Sequence, residues 1–190
     1  MEIINKEYVL SNKEKIHSEI LKGKIFIYPT DTIYGLGTNA TINSSVMKLR
    51  KIKMRNNKPF SVIAPSKDWI KENCIINKDI EEWIKKLPGP YTLILKLKNK
   101  NAVNKEVNLG QETIGIRIPN NWFTKIIEEL NIPFVTTSVN ISGNPYLKDI
   151  RDIEKQIEDK IDYIIEDGIL DGKPSTIVNL TKDKEEIIQR

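Results

Sequence analysis

Lys53, Arg55 and Lys58 bring three cations into six residues, directly before Pro59. On an extended backbone Lys53 and Arg55 project to one side, where paired cations can neutralise a polyphosphate. Asn56, Asn57 and Pro59 favour helix termination and so an extended path; alternatively Lys48, Lys51, Lys53 and Lys58 form a solvated basic face. A second set consists of hydroxyls and amides. Thr30 and Thr32, two apart in Tyr28-Pro29-Thr30-Asp31-Thr32-Ile33-Tyr34-Gly35-Leu36-Gly37, share a side if extended, or are turn residues at a strand end. Thr136, Ser138 and Asn140 alternate onto one side where a strand ends, the usual ligand-binding edge of an open α/β sheet; the alternative is local satisfaction of a turn. In Ile114-Gly115-Ile116-Arg117-Ile118, alternation groups Thr113, Gly115 and Arg117 on one face, suited to an anion such as a carboxylate or, alternatively, an exposed edge.

These groups need a framework to converge. Ser11 and Glu14 form a capping-box pattern, Ile16, Ile20 and Leu21 an apolar face and Gly23 a stop, which predicts a helix carrying His17. Lys24 to Tyr28 reads as a strand and Asn43 to about Met54 as a helix, with Val46, Leu49 and Arg50 on one face. Strands are expected at Phe60–Ala64, Tyr91–Lys98, Thr113–Ile118, Pro133–Thr137, Tyr163–Ile165, Thr176–Leu180 and Glu186–Gln189. Helices are expected at Asp79–Leu87, from near Asn121, and around Asp149–Ile157. Pro88-Gly89-Pro90 is a rigid break, and Lys98–Lys105 is the candidate mobile, solvated loop. Such mixing predicts an α/β fold, and the closing hairpin-like pair argues against a wholly parallel sheet.

The composition narrows the chemistry. With 190 residues, 39% of them hydrophobic, one packed domain spanning 1–190 is expected. The net charge of +4 with 29% charged residues permits nucleotide or RNA contact without requiring it. One histidine, His17, and one cysteine, Cys74, leave little material for a zinc site or for a nucleophile paired with a histidine base. Cys74 reads as a partly buried thiol, His17 as a helix-surface residue, and Trp69, Trp83 and Trp122 as packing residues. The first ten residues lack the apolar core of a signal peptide, and no apolar run approaches the roughly 20 residues needed to cross a bilayer. A soluble, cytoplasmic protein without membrane contact is expected.

Taken together and in order, YPTDTIYGLG from Tyr28, KMR from Lys53 with Lys58-Pro59, PGPYT from Pro88, TIGIRIP from Thr113, TTSVNISG from Thr136 and STIVNL from Ser175 resemble the YrdC-like threonylcarbamoyl-AMP synthases, in their short single-domain form. The resemblance implies a twisted, mixed α/β sheet with helices packed around it and a deep basic cavity. It implies formation of threonylcarbamoyl-AMP and pyrophosphate from L-threonine, bicarbonate and ATP, with Mg²⁺ assisting and no prosthetic group. By motif matching, Lys53 and Arg55 are the catalytic pair and, with Lys58, handle the ATP phosphates. Thr32, Arg117, Thr136 and Ser175 contact threonine, with Arg117 on its carboxylate. Thr113, Ser138, Asn140, Tyr146 and Arg190 contact the nucleotide. No metal ligands are assigned. The implied partners are tRNA and a downstream tRNA threonylcarbamoyl transferase complex.

Two departures stand out. The family commonly continues past its last arginine with Pro-Gly, whereas Arg190 is the last residue here. Members often carry a histidine a few residues after the proline matching Pro59, where this chain has Ile63. The rival readings are a carbamoyl-adenylate-forming domain, whose larger hosts carry paired-cysteine zinc motifs, and a non-catalytic RNA-binding module, which would bind with strong salt dependence.

Overall fold

The computed structural model describes residues 1–189 apart from Asn56 and Asp183; Arg190 therefore lies outside the described residues. The strands are β1 (Glu2–Asn5), β2 (Phe26–Tyr28), β3 (Gly35–Gly37), β4 (Ser61–Ile63), β5 (Tyr91–Lys96), β6 (Thr113–Arg117), β7 (Phe134–Ser138), β8 (Tyr163–Glu166), β9 (Thr176–Asn179) and β10 (Glu186–Ile188). The helices are α1 (Lys6–Ser11), α2 (Lys13–Leu21), α3 (Asn43–Lys53), α4 (Lys67–Asn73), α5 (Lys78–Lys85), α6 (Lys105–Asn108), α7 (Thr124–Leu130) and α8 (Lys155–Glu158). Among the described residues the strands form one twisted mixed sheet in the order β1-β8-β2-β3-β7-β4-β6-β5-β9-β10. Its β4–β6 pair is parallel, and its β4–β7 and closing β9–β10 pairs are antiparallel.

Alternation along each strand divides the apolar residues into two clusters. Ile27, Val62, Val135 and Ile164 pack with Val46, Leu49 and Ile52 of α3 and Ile80 and Ile84 of α5. Their strand neighbours Phe26, Tyr28, Ile63, Phe134 and Tyr163 pack with Ile16 and Ile20 of α2 and Ile126 and Ile127 of α7. Phe26 stacks on Tyr163 at 4.9 Å between ring centroids, and Tyr28 on Phe123 at 4.7 Å.

Several elements differ from the expectations. The helix expected after a Ser11 cap begins after Asn12, because Ser11 is the last residue of α1, and Leu21 is exposed rather than on the buried face. Gly23, at φ 77°, still turns the chain out of the helix. The helix expected around Asp149–Ile157 is split into a 3-10 turn at Ile150–Asp152 and the short α8. The Lys98–Lys105 connection is solvated but anchored: Val103 is buried and the Asn104 N–H donates to Ala40 O at 2.9 Å.

β3 went unforeseen because Gly-Leu-Gly has no strand propensity. Its glycines are there for close approach. A Cβ on Gly37 would lie 1.9 Å from the carbonyl oxygen of Val135 and 2.7 Å from the Phe134 ring. Gly37→Ala is expected to cost about 3 kcal/mol or more, lowering Tm by roughly 6–12 °C. A melting curve matching that of the parent protein would contradict this packing.

Candidate active site

The cationic segment is built by the end of α3. Met54 adopts a left-handed conformation (φ 49°), its N–H donates to Lys51 O at 3.2 Å, and the Arg55 N–H donates to Arg50 O at 3.1 Å. This is the double closure of a helix that ends on a left-handed residue. Lys53 is consequently the last helical residue, and the extended path expected through Lys53 and Arg55 is replaced by a tight reversal. The two side chains still meet at the end of β7. Lys53 Nζ donates to Ser138 O at 2.5 Å and Asn140 Oδ1 at 2.6 Å, and Arg55 donates to Thr137 Oγ1 at 3.4 Å and Pro59 O at 2.6 Å. Lys53 is only 1% exposed; burial, aided by the charge of Arg55, lowers its pKa to about 7.

β6 lies inside the sheet, between β4 and β5, so Arg117 is buried and not on an exposed edge. It donates to Asp31 Oδ1 at 2.6 Å and to Thr32 Oγ1 at 3.4 Å. Asp31 Oδ2 also accepts the Asn120 N–H at 3.0 Å. Burial pushes the pKa of Arg117 down and Asp31 opposes that; a guanidinium nevertheless stays charged at any physiological pH. Its Nε is buried without a hydrogen-bond partner among the described residues.

Thr30 and Thr32 do meet, through a turn and not along an extended strand. Thr30 Oγ1 accepts the N–H groups of Thr32 and Ile33, donates to Ile33 O at 2.6 Å, and lies 3.0 Å from Thr32 Oγ1.

These groups surround a cavity of about 110 Å³, whose charged lining residues are Arg55 and Arg117. Thr30, Ser61, Thr92, Thr136, Thr137, Ser138 and Ser175 supply hydroxyls, and Tyr34, Tyr146 and Pro174 complete much of the wall. Sheet register explains the convergence. Ser61 pairs with both Gly115 and Thr136, and Gly35 pairs with Ser138. By alternation these positions continue the face that holds Tyr28, Ile63 and Phe134, so the cavity begins where that apolar cluster gives way to small and polar residues. Gly115 leaves room: a Cβ there would sit 2.5 Å from Ser61 Oγ. The volume is small beside the roughly 300–1,000 Å³ of a drug-sized pocket, so its enclosed part suits a small polar molecule better than a whole nucleotide.

Among the residues singled out from sequence, Thr30, Arg55, Arg117, Thr136, Ser138, Tyr146 and Ser175 line this cavity. Thr32 joins through Arg117, and Lys53 and Asn140 through Ser138, whose Oγ donates to Asn140 Oδ1 at 2.8 Å. The Lys58 side chain is exposed, its backbone oxygen accepting from Arg50 and Arg55. Thr113, at the far end of β6, is not among the lining residues. Ile63 is fully buried, with Arg117 and Phe134 as register partners, and so offers no polar group at the position where the resemblance implies a histidine.

Sequence reading missed Asp31, Ser61 and Thr92. Asp31 stood between two singled-out threonines, and a buried arginine needs such a partner; Ser61 and Thr92 sit in ordinary strands and carried no signal. Thr92 Oγ1 is 2.7 Å from Ser175 Oγ. The remaining readings are bland ones: Cys74 is buried, with its thiol pKa pushed up to about 12 by burial. His17 lies half-buried on α2, 3.3 Å from a Glu129 carboxylate oxygen, and Trp69, Trp83 and Trp122 are half-buried. No helix among the described residues is long and apolar enough to cross a membrane.

Comparison with known proteins fits this geometry. The Sua5/YciO/YrdC family model, described as "Telomere recombination", matches residues 18–190. A Methanocaldococcus jannaschii protein named as a putative threonylcarbamoyl-AMP synthase is 40% identical, over 95% of this chain and 89% of its own. The Pyrococcus abyssi Sua5 structure complexed with L-threonine superimposes with a TM-score of 0.87 at 27% identity, covering 98% of this chain but 56% of that one. This chain thus spans little more than half of that protein. Escherichia coli YciO, whose crystal structure gives a TM-score of 0.82 at 25% identity, covers 94% of this chain and is matched over 88% of its own. A family match across nearly the whole chain, joined to the same fold in Sua5 and YciO, establishes that the chain belongs to the Sua5/YciO/YrdC family.

Proposed function

We propose that the protein is an L-threonylcarbamoyladenylate synthase, a cytoplasmic nucleotidyltransferase that makes threonylcarbamoyl-AMP and pyrophosphate from L-threonine, bicarbonate and ATP. The observation that carries the reading is the cavity: Arg117 keeps one buried donor unpaired amid a ring of hydroxyls, next to the Lys53 and Arg55 cations. An amino-acid carboxylate and hydroxyl suit the first group, and phosphates the second. The M. jannaschii relative's name and the threonine complex of P. abyssi Sua5 support the same reading.

The threonine amine condenses with bicarbonate, losing water, to give a carbamate. A carbamate oxygen then attacks the α-phosphorus of ATP, the α–β bridging bond breaks, and pyrophosphate leaves with the electron pair. No covalent enzyme intermediate forms. Arg117, Thr32, Thr136 and Ser175 orient threonine, and Lys53, Arg55 and Lys58 offset the phosphate charge. Ser138, Asn140 and Tyr146 contact the nucleotide, with Thr113, outside the cavity lining, and Arg190 assigned beside them by motif alone. Among the described residues no three or more His, Cys, Asp or Glu side chains cluster. Mg²⁺ would be carried chiefly on the nucleotide phosphates, where it would add further charge neutralisation. The product passes to a tRNA threonylcarbamoyl transferase complex for tRNA threonylcarbamoyladenosine formation.

The test is pyrophosphate release from ATP and bicarbonate with L-threonine, serine, glycine or no amino acid. Release that depends strongly on threonine is expected. Release indifferent to all three would favour carbamoyl-adenylate chemistry instead, and folded protein that releases none while binding RNA with steep salt dependence would favour the RNA-binding module.

A further inference from the structure

Arg50 has no part in the chemistry above, yet its guanidinium is fully engaged beside the site. It lies on α3 and is buried. Its guanidinium donates to four backbone carbonyls: Nε to Glu106 O at 2.7 Å, one terminal nitrogen to Arg55 O at 3.0 Å and Lys58 O at 3.1 Å, and the other to Val107 O at 3.2 Å. No carboxylate among the described residues forms an ion pair with it. A buried cation whose partners are main-chain carbonyls serves to hold backbone, since only a planar fork of five donors can satisfy acceptors in this arrangement.

Two of those carbonyls belong to Arg55 and Lys58, and the other two to Glu106 and Val107 of α6. Arg55 is tied to the same stretch through Lys58 O at 3.3 Å and Pro59 O. Both guanidiniums also lie against the Phe60 ring, Arg50 at 4.7 Å and Arg55 at 5.2 Å from its centroid. The backbone at Arg55 and Lys58 is thus clamped to α3 and α6 by one side chain.

We infer that Arg50 is a positioning residue for the nucleotide: it fixes the backbone at Arg55 and Lys58 so that the Arg55 side chain meets the phosphates already oriented. This rests on the proposed use of ATP and adds to it a residue that touches no substrate. Loss of the clamp lets Arg55 wander, and misplacement by an ångström is enough to cost about 10–100-fold.

The experiment measures ATP affinity, threonine KM and Tm for Arg50→Lys, Arg55→Ala and the double variant, with Phe60→Leu as a milder second perturbation. In Arg50→Lys the charge remains but the fork is lost. The expected result is ATP affinity weakened at least tenfold with threonine KM within twofold of the parent, a smaller weakening for Phe60→Leu, and no further weakening when Arg50→Lys is added to Arg55→Ala. A folded Arg50→Lys protein with a lowered Tm and unchanged ATP affinity would overturn the inference, as would full additivity in the double variant. If Arg50→Lys does not fold, Phe60→Leu decides: unchanged ATP affinity there overturns the inference. A parent protein that binds no ATP would sink the functional reading and this inference together, whereas a parent that binds it alongside variants that bind equally well would sink the inference alone.

Discussion

Lys53→Ala is expected to reduce threonine-dependent pyrophosphate release about 10²–10³-fold at pH 7 while the protein remains folded, the scale on which a preorganised charge stabilises a transition state. The ammonium lies at the end of β7, against Ser138 O and Asn140 Oδ1, beside the Arg55 guanidinium. Burial lowers its pKa from 10.5 to about 7. Nucleotide phosphates favour the charged form, so ATP binding at pH 7 to 8 should draw in a proton, measurable by calorimetry in buffers of different ionisation enthalpy. Affinity should weaken as pH rises through about 7. The stability trend has the opposite sense. Between pH 7 and 10.5 the unfolded chain holds a proton on this lysine that the folded chain does not, so its contribution to stability rises with pH across that window. Lys53→Ala should abolish both the proton uptake and that rise. Arg55→Ala should lower activity comparably. Full activity in either folded variant would reject their assignment to the phosphates.

Arg117→Ala should have its largest effect on threonine. A lost charged hydrogen bond of about 1.5–3 kcal/mol raises the threonine KM by roughly 10–150-fold, with ATP affinity little changed. The same substitution leaves Asp31, about 10% exposed, without its cationic partner, and breaking such a pair costs about 3–5 kcal/mol of stability. Arg117→Lys separates the two effects. It retains a charge for Asp31 but lacks the planar guanidinium and its Nε donor, so the fold should survive while the threonine KM still rises. An unchanged threonine KM in steady-state kinetics of folded Arg117→Lys would show that the guanidinium does not read the amino acid.

Much of the framework was legible from local pattern. Val46, Leu49 and Arg50 were grouped on one face of a helix, and all three are buried on α3. Ile114 to Ile118 alternated as a strand, and the closing pair of strands proved antiparallel. The misses have physical causes. β1 buries a single residue, Ile4, and β3 is a glycine-flanked leucine, so neither carries periodicity. The reversal at Met54 was invisible because a left-handed helix end is ordinarily announced by glycine or asparagine, and here a methionine adopts it.

The sequence by itself determined the chemical inventory: cations at Lys53, Arg55 and Arg117, hydroxyls at Thr30, Thr32, Thr136, Ser138 and Ser175, and a glycine at position 115 among apolar neighbours. Only the tertiary structure decided which of them meet. Ser61, Gly115 and Thr136 are far apart along the chain and become neighbours through the register of β4, β6 and β7. The partner of Arg117 comes from a turn 86 residues away, and Arg50 becomes a clamp because the backbone folds back over it. Local patterns report which face a residue takes, because that depends on its immediate neighbours in the chain. Pairing between distant segments depends on strand order and burial, which no short stretch of sequence encodes.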